Sequence, residues 1–356
     1  MLQSAKKLDA YANGRDNNFN LVRMIAASGV LVSHAYPLSL GRAAQEPFEA
    51  TLQGITLGAL CVMVFFGISG FLIARSFERS STFRRFVMAR VFRLFPALAV
   101  VLLITVLVAA IWFSEGSEEA LWRAAPQYFF RNITLYLLQY ELPGVFETNP
   151  YGPAINGSLW TLNHEVSCYA GVVVLGFLGA LANKGRMGLL LALFVVGYSA
   201  MVILDPHPRL VSLAKLAWPF YVGVAFYVWR DKLALSWRIG FLIAALAVVS
   251  HFTLLFHEVF TVAVIYWVFL IGYLPSGAIR RYNSLGDYSY GTYIYAYPVQ
   301  QVLANTLSPM TPLENIILAF PIVLVCAALS WRLVEKPALS LSGRTGRPPL
   351  SAVKGA

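Results

Sequence analysis

The chain has 356 residues, of which 58% are hydrophobic and only 12% charged, and its mean hydropathy is +0.65. A soluble domain carries about 25% charged residues, so a water-soluble fold is a poor match and a membrane protein is the class that remains. The net charge of +10 reads as a topology signal, with no call for a nucleic-acid partner.

A membrane span needs about 20 mostly apolar residues. Ten segments qualify in chain order: 19–38, 54–74, 94–113, 158–181, 187–204, 211–229, 239–256, 259–274, 288–307 and 313–331. The predicted fold is therefore all-α, a polytopic transmembrane helical bundle of about ten spans. An even number of spans puts both termini on one side. Arg42, Arg123, Arg131, Arg209 and Lys215 fall on the other side, and nearly all remaining Lys and Arg fall with the termini. The positive-inside rule makes that richer side, and both termini, cytoplasmic. The organisation expected is a cytoplasmic segment 1–18, one transmembrane domain 19–337 with an extracytoplasmic insertion at about 114–157, and a disordered tail 338–356. Within the insertion, Trp122 to Leu138 reads as an interfacial helix, and Glu141 to Gly157 as a Pro-, Gly- and Asn-rich loop. No signal peptide is expected, since the first apolar run carries an Arg and a His. Cys61, Cys168 and Cys326 fall inside apolar spans and show neither a disulfide framework nor metal spacing.

Chemistry-bearing residues interrupt these spans. Arg23 and His34 lie in the first, where ionisable groups are costly and usually functional. Eleven residues make about three helical turns, so both project from one face, roughly 16 Å apart along the axis. His34 would sit about 6 Å below the outer surface. In the second span, Phe65-Phe-Gly-Ile-Ser-Gly-Phe71 allows close backbone approach. Arg84, Arg85, Arg90 and Arg93 precede the third span on the cytoplasmic side; they suit a phosphate clamp, although fixing topology on anionic lipid explains them as well. Ser158-Leu-Trp-Thr-Leu-Asn-His-Glu165 opens the fourth span from outside, with Glu165 about 10 Å deep, near the level of His34. A carboxylate at that depth can hold an imidazole's tautomer. In the ninth, Tyr290, Tyr293 and Tyr297 share a face.

As an ordered set, these pieces resemble the acyltransferase 3 family of integral-membrane O-acyltransferases. The resemblance runs from about Asn18 to Pro337. It rests on Arg23 and His34, Phe65 to Ile73, the Arg-rich segment ending in Pro96, Ser158-Leu-Trp-Thr-Leu with Glu165, Tyr290-Gly-Thr-Tyr293 and Glu335-Lys-Pro337. The form Leu162-Asn-His-Glu165 departs from the commoner pattern of two acidic residues followed by an aromatic. It is similar to a branch associated with exopolysaccharide or lipopolysaccharide modification. The resemblance implies a multi-pass protein of a bacterial-type inner membrane that moves an acyl group, acetyl foremost, from cytoplasmic acetyl-CoA to a hydroxyl of an extracytoplasmic or lipid-linked glycan, without a metal. Membrane lipid is a further expected partner, and a homodimer is left open. An esterase-like C-terminal domain, carried by some members, is not expected here.

On this reading Arg84, Arg85, Arg90 and Arg93 bind the donor phosphates, and the pantetheine arm passes Arg23 to reach His34. His34 is general base or transient acyl carrier, Glu165 orients it or balances its charge, and Trp160, Asn163 and Tyr293 meet the acceptor. The rival is a proton-coupled transporter, since buried His, Glu and Arg also suit a proton relay. The paired broken-helix repeats common in such carriers are not visible.

Overall fold

The computed structural model describes residues 6–12, 14, 16–112, 118–204 and 208–344. Arg15, Arg347, Lys354 and the tail beyond residue 344 lie outside the described residues. Among those described, regular structure is helical throughout, apart from one isolated bridge between Lys7 and Ala234. The main helices are α1 (Phe19–Leu40), α2 (Leu57–Arg79), α3 (Phe83–Trp112), α4 (Glu118–Thr134), α5 (Leu159–Phe177), α6 (Lys184–Leu204), α7 (Pro208–Val228), α8 (Trp237–Val249), α9 (Phe256–Tyr273), α10 (Ser289–Thr306), α11 (Pro312–Ser330) and α12 (Lys336–Arg344).

Each of the ten apolar segments read from the sequence is helical over most of its described residues. Six helices among the described residues are long and apolar enough to cross a membrane: α1, α2, α3, Leu210–Val228 within α7, α9, and the continuous run Pro312–Leu341. The last differs from the sequence reading. Residues 336–344 continue as helix beyond α11 through a π-helical turn at Trp331–Glu335, where the start of a disordered tail was expected. Pro337, which has no N–H to donate, falls just after that π-helical turn. The amphipathic α4 occupies the middle of the predicted insertion, with Leu121, Ala125, Tyr128 and Asn132 buried on one face.

The chain divides into two compact units. The first comprises Met1–Ser33, Gln45–Glu78 and Trp160–Ser289; the second comprises His34–Ala44, Arg79–Leu159 and Tyr290–Ala356. In the first, α2 and α7 meet backbone to backbone. A Cβ on Gly70 would run into the Phe220 carbonyl, and one on Gly223 into the Gly67 carbonyl. Small residues are the standard means of bringing helices this close where no hydrophobic effect drives association. The aromatics beside this crossing interlock, with Phe71 and Phe269 at 4.8 Å and Phe19 and Tyr273 at 4.9 Å between ring centres. At the start of α2, Glu46 accepts the Leu57 backbone N–H at 2.6 Å, which caps an orphan donor. Burial pushes the Glu46 carboxyl up from its ordinary range, and the Leu57 bond works against that rise.

In the second unit, α3 packs on α4 and α12. The loop before α5 is tied to α10 by carboxamides. Asn149 Nδ2 donates to Gln301 Oε1 at 2.8 Å, Asn305 Nδ2 donates to Asn149 Oδ1 at 2.9 Å, and Gln301 Nε2 donates to the Ala154 carbonyl at 2.6 Å. Asn156 Nδ2 adds a bond to the Ile294 carbonyl at 3.1 Å. A loop without regular structure is thereby held as firmly as a helix end, because its buried backbone groups have partners.

Candidate functional site

In the first unit, α1 carries Arg23. Its Nη1 donates to Asp287 Oδ2 at 2.6 Å, and its guanidinium lies over the Phe65 ring at 5.7 Å. Phe65 belongs to the glycine-rich stretch of α2. Asp287 is buried, and its Oδ1 accepts the Ser289 Oγ–H at 2.5 Å and the Ser289 N–H at 3.3 Å at the start of α10. The sequence reading did not single out Asp287. A signal was present: it is the one acidic residue between Glu258 and Glu314, and it abuts the tyrosine-rich span.

Glu165 also lies in this unit. Its Oε1 accepts Ser69 Oγ–H at 2.8 Å and Tyr169 Oη–H at 2.6 Å, and the two hydroxyls lie 3.4 Å apart. Ser69 is the serine of the same glycine-rich stretch, so α2 supplies both a face for Arg23 and a donor for Glu165. On α5, one turn earlier, Trp160 is 38% exposed. Its carbonyl accepts from His164 Nδ1 at 2.7 Å, and the two rings meet edge to face at 5.4 Å. Asn163 is half-buried, and its carbonyl accepts Ser167 Oγ–H at 2.9 Å.

His34 belongs to the second unit. Its ring meets Tyr297 of α10 edge to face, with centres 5.2 Å apart. His34 Nδ1 and Tyr297 Oη are both buried, and neither has a hydrogen-bond partner among the described residues. Buried polar atoms are nearly always paired, so two orphans on touching rings call for a reason. Gly157 makes room for this contact: a Cβ there would lie 2.6 Å from Tyr297 Cε2. Tyr293, one turn before Tyr297, donates its hydroxyl to the Ser158 carbonyl at 3.4 Å.

The four arginines of α3 separate into two kinds. Arg84 and Arg85 are exposed. Arg90 lies over Phe86 at 5.7 Å. Arg93 lies 3.7 Å from Glu335 and over the Tyr290 ring at 5.8 Å. Glu335 is 1% exposed and also accepts Ser330 Oγ–H at 2.9 Å, while Tyr290 donates to the Leu94 carbonyl at 2.9 Å. Arg93 thus has its charge balanced inside the unit. Glu335 helps to carry the sequence resemblance, yet the sequence alone gave it no partner.

The first long apolar helix thus carries an arginine paired with Asp287 and a histidine set against Tyr297, within a chain that has six helices, among the described residues, long and apolar enough to cross a membrane. A model of the acyltransferase 3 type, described as an acyltransferase domain, matches residues 16–331, and the chain belongs to that family. It is similar to an O-acetyl transferase of Shigella phage Sf6, 31% identical over 349 residues that span 92% of this chain and 97% of the phage protein. It is also similar to nodulation protein 10 of Rhizobium leguminosarum bv. viciae, 29% identical over 375 residues that span 93% of this chain and 95% of that protein. No solved structure matches the chain significantly.

Proposed function

We propose that this acyltransferase moves an acetyl group from cytoplasmic acetyl-CoA to a hydroxyl of an extracytoplasmic or lipid-linked glycan. We further propose that it does so as a ten-span protein of the inner membrane with both termini cytoplasmic. The observation that carries the reading is the His34–Tyr297 contact, where an imidazole nitrogen is buried without a partner. An O-acyl transfer needs a base at the acceptor oxygen. In direct transfer the acceptor oxygen bonds to the thioester carbonyl carbon, its proton goes to His34, and the C–S bond breaks to release coenzyme A as thiolate. His34 then returns the proton to that sulfur. In the two-step version an imidazole nitrogen bonds to the acetyl carbon as the C–S bond breaks and coenzyme A leaves as the thiol, taking the imidazole proton; the acceptor oxygen then bonds to that carbon, the N–C bond breaks, and the hydroxyl proton passes to the freed imidazole.

The donor is a polyanion, and the exposed Arg84 and Arg85 at the start of α3 suit its phosphates best. Arg23, on the same helix as His34, is proposed to meet the pantetheine arm. Trp160, Asn163 and Tyr293 are proposed to meet the acceptor, and Glu165 to balance charge during transfer. The likeness to a phage O-acetyl transferase over nearly the whole chain supports acetyl as the group.

The test is acetyl-CoA binding by detergent-purified protein. Wild type should bind, and reversing the charge of Arg84 and Arg85 should weaken binding by roughly tenfold, about 1.4 kcal/mol, with the melting temperature held. A wild type that binds no acetyl-CoA would remove the donor from the scheme. Unchanged affinity in the reversed variant would return both arginines to a topological role.

A further inference from the structure

We propose that Asp287 is a positioning residue for Arg23, and that the pair serves as a net-neutral hydrogen-bonding unit for the amide carbonyls of the donor's pantetheine arm. This rests on the acetyl-CoA reading above. A lone arginine within a span is costly, and the structure removes that cost by placing Asp287 Oδ2 2.6 Å from Arg23 Nη1. The anion is itself fixed. Its second oxygen is held by the hydroxyl and backbone N–H of Ser289, so its direction is set by the first turn of α10 and not by a mobile side chain. The Phe65 face lies under the guanidinium. One N–H edge and one face of the planar group are therefore specified, and its orientation follows.

Pairing changes what Arg23 can recognise. A free guanidinium attracts phosphate by its net charge. A guanidinium neutralised by a carboxylate keeps directional N–H donors but little net charge, which suits neutral carbonyl oxygens. The exposed Arg84 and Arg85 are the converse case.

The experiment measures the affinity of purified protein for two probes, acetyl-CoA and adenosine 3′,5′-bisphosphate, which has phosphates but no pantetheine. Asp287→Asn should weaken acetyl-CoA binding by roughly tenfold or more and leave the bisphosphate within about twofold, the loss expected for a misdirected charge-assisted bond. Asp287→Glu should recover most of the acetyl-CoA affinity. Arg23→Lys retains the charge but lacks the planar fork, and must show the same split between probes, which keeps the test open if Asp287→Asn does not fold. Equal weakening of both probes, or acetyl-CoA affinity unchanged in Asp287→Asn and Arg23→Lys, overturns the proposal. A wild type that binds neither probe overturns the acetyl-CoA reading itself, a result distinct from the other two.

Discussion

The surroundings of Glu165 and of His34 handle buried polarity in opposite ways. Glu165 takes hydroxyls from Ser69 and Tyr169, so one carboxylate oxygen collects two donors. His34 and Tyr297 touch ring to ring, yet Nδ1 of one and Oη of the other are left without partners. A satisfied network stiffens a helix contact, whereas an unsatisfied one costs stability and is kept where something else needs the atoms. The difference is one of pairing: the first set ties α2 to α5, and the second leaves open the two polar atoms that the proposed transfer would use.

Three substitutions sharpen that contrast. Glu165→Ala leaves the Ser69 and Tyr169 hydroxyls without their acceptor, and should lower unfolding stability by about 1–3 kcal/mol, read as a drop in melting temperature in detergent. A melting temperature equal to wild type would mean that the network carries no structural weight. Ser69→Ala removes one of the two donors and should cost less, about 1 kcal/mol. If it costs as much as Glu165→Ala, the two hydroxyls do not share the load. Tyr297→Phe deletes an oxygen that has no partner, so its effect on melting should be the smallest, within about 0.5 kcal/mol of zero. A large destabilisation there would show that the hydroxyl is paired after all and would erase the contrast.

Much of this was legible in the residues. The ten apolar stretches became helices because length and apolarity are local properties. A helix at α4, in the middle of the predicted insertion, followed from its mixed faces. Arg23 and His34 stood out since an ionisable residue in an apolar run needs no neighbour to be noticed. What the sequence could not show was pairing. Asp287 lies 264 positions from Arg23, and Glu335 is likewise remote from Arg93, so neither ion pair follows from any local period. The spacing of Arg84, Arg85, Arg90 and Arg93 suggested one cluster; folding leaves the first two exposed and engages Arg93 with a buried carboxylate. The expected tail at 338–344 turned out helical because the π-turn at Trp331–Glu335 lets the helix run on. The role of Gly157 was also hidden, since only the packed Tyr297 ring shows why a side chain has no room there.

The most direct test follows labelled acetyl from acetyl-CoA into the glycan fraction of membrane vesicles, comparing wild type with His34→Ala at equal amounts of inserted protein. Loss of the imidazole should lower transfer by about 10²–10⁴-fold, far more than the small fall in melting temperature expected from losing its ring contact with Tyr297 explains. Labelling by His34→Ala at the wild-type rate would contradict the account and leave the orphaned nitrogen without a function.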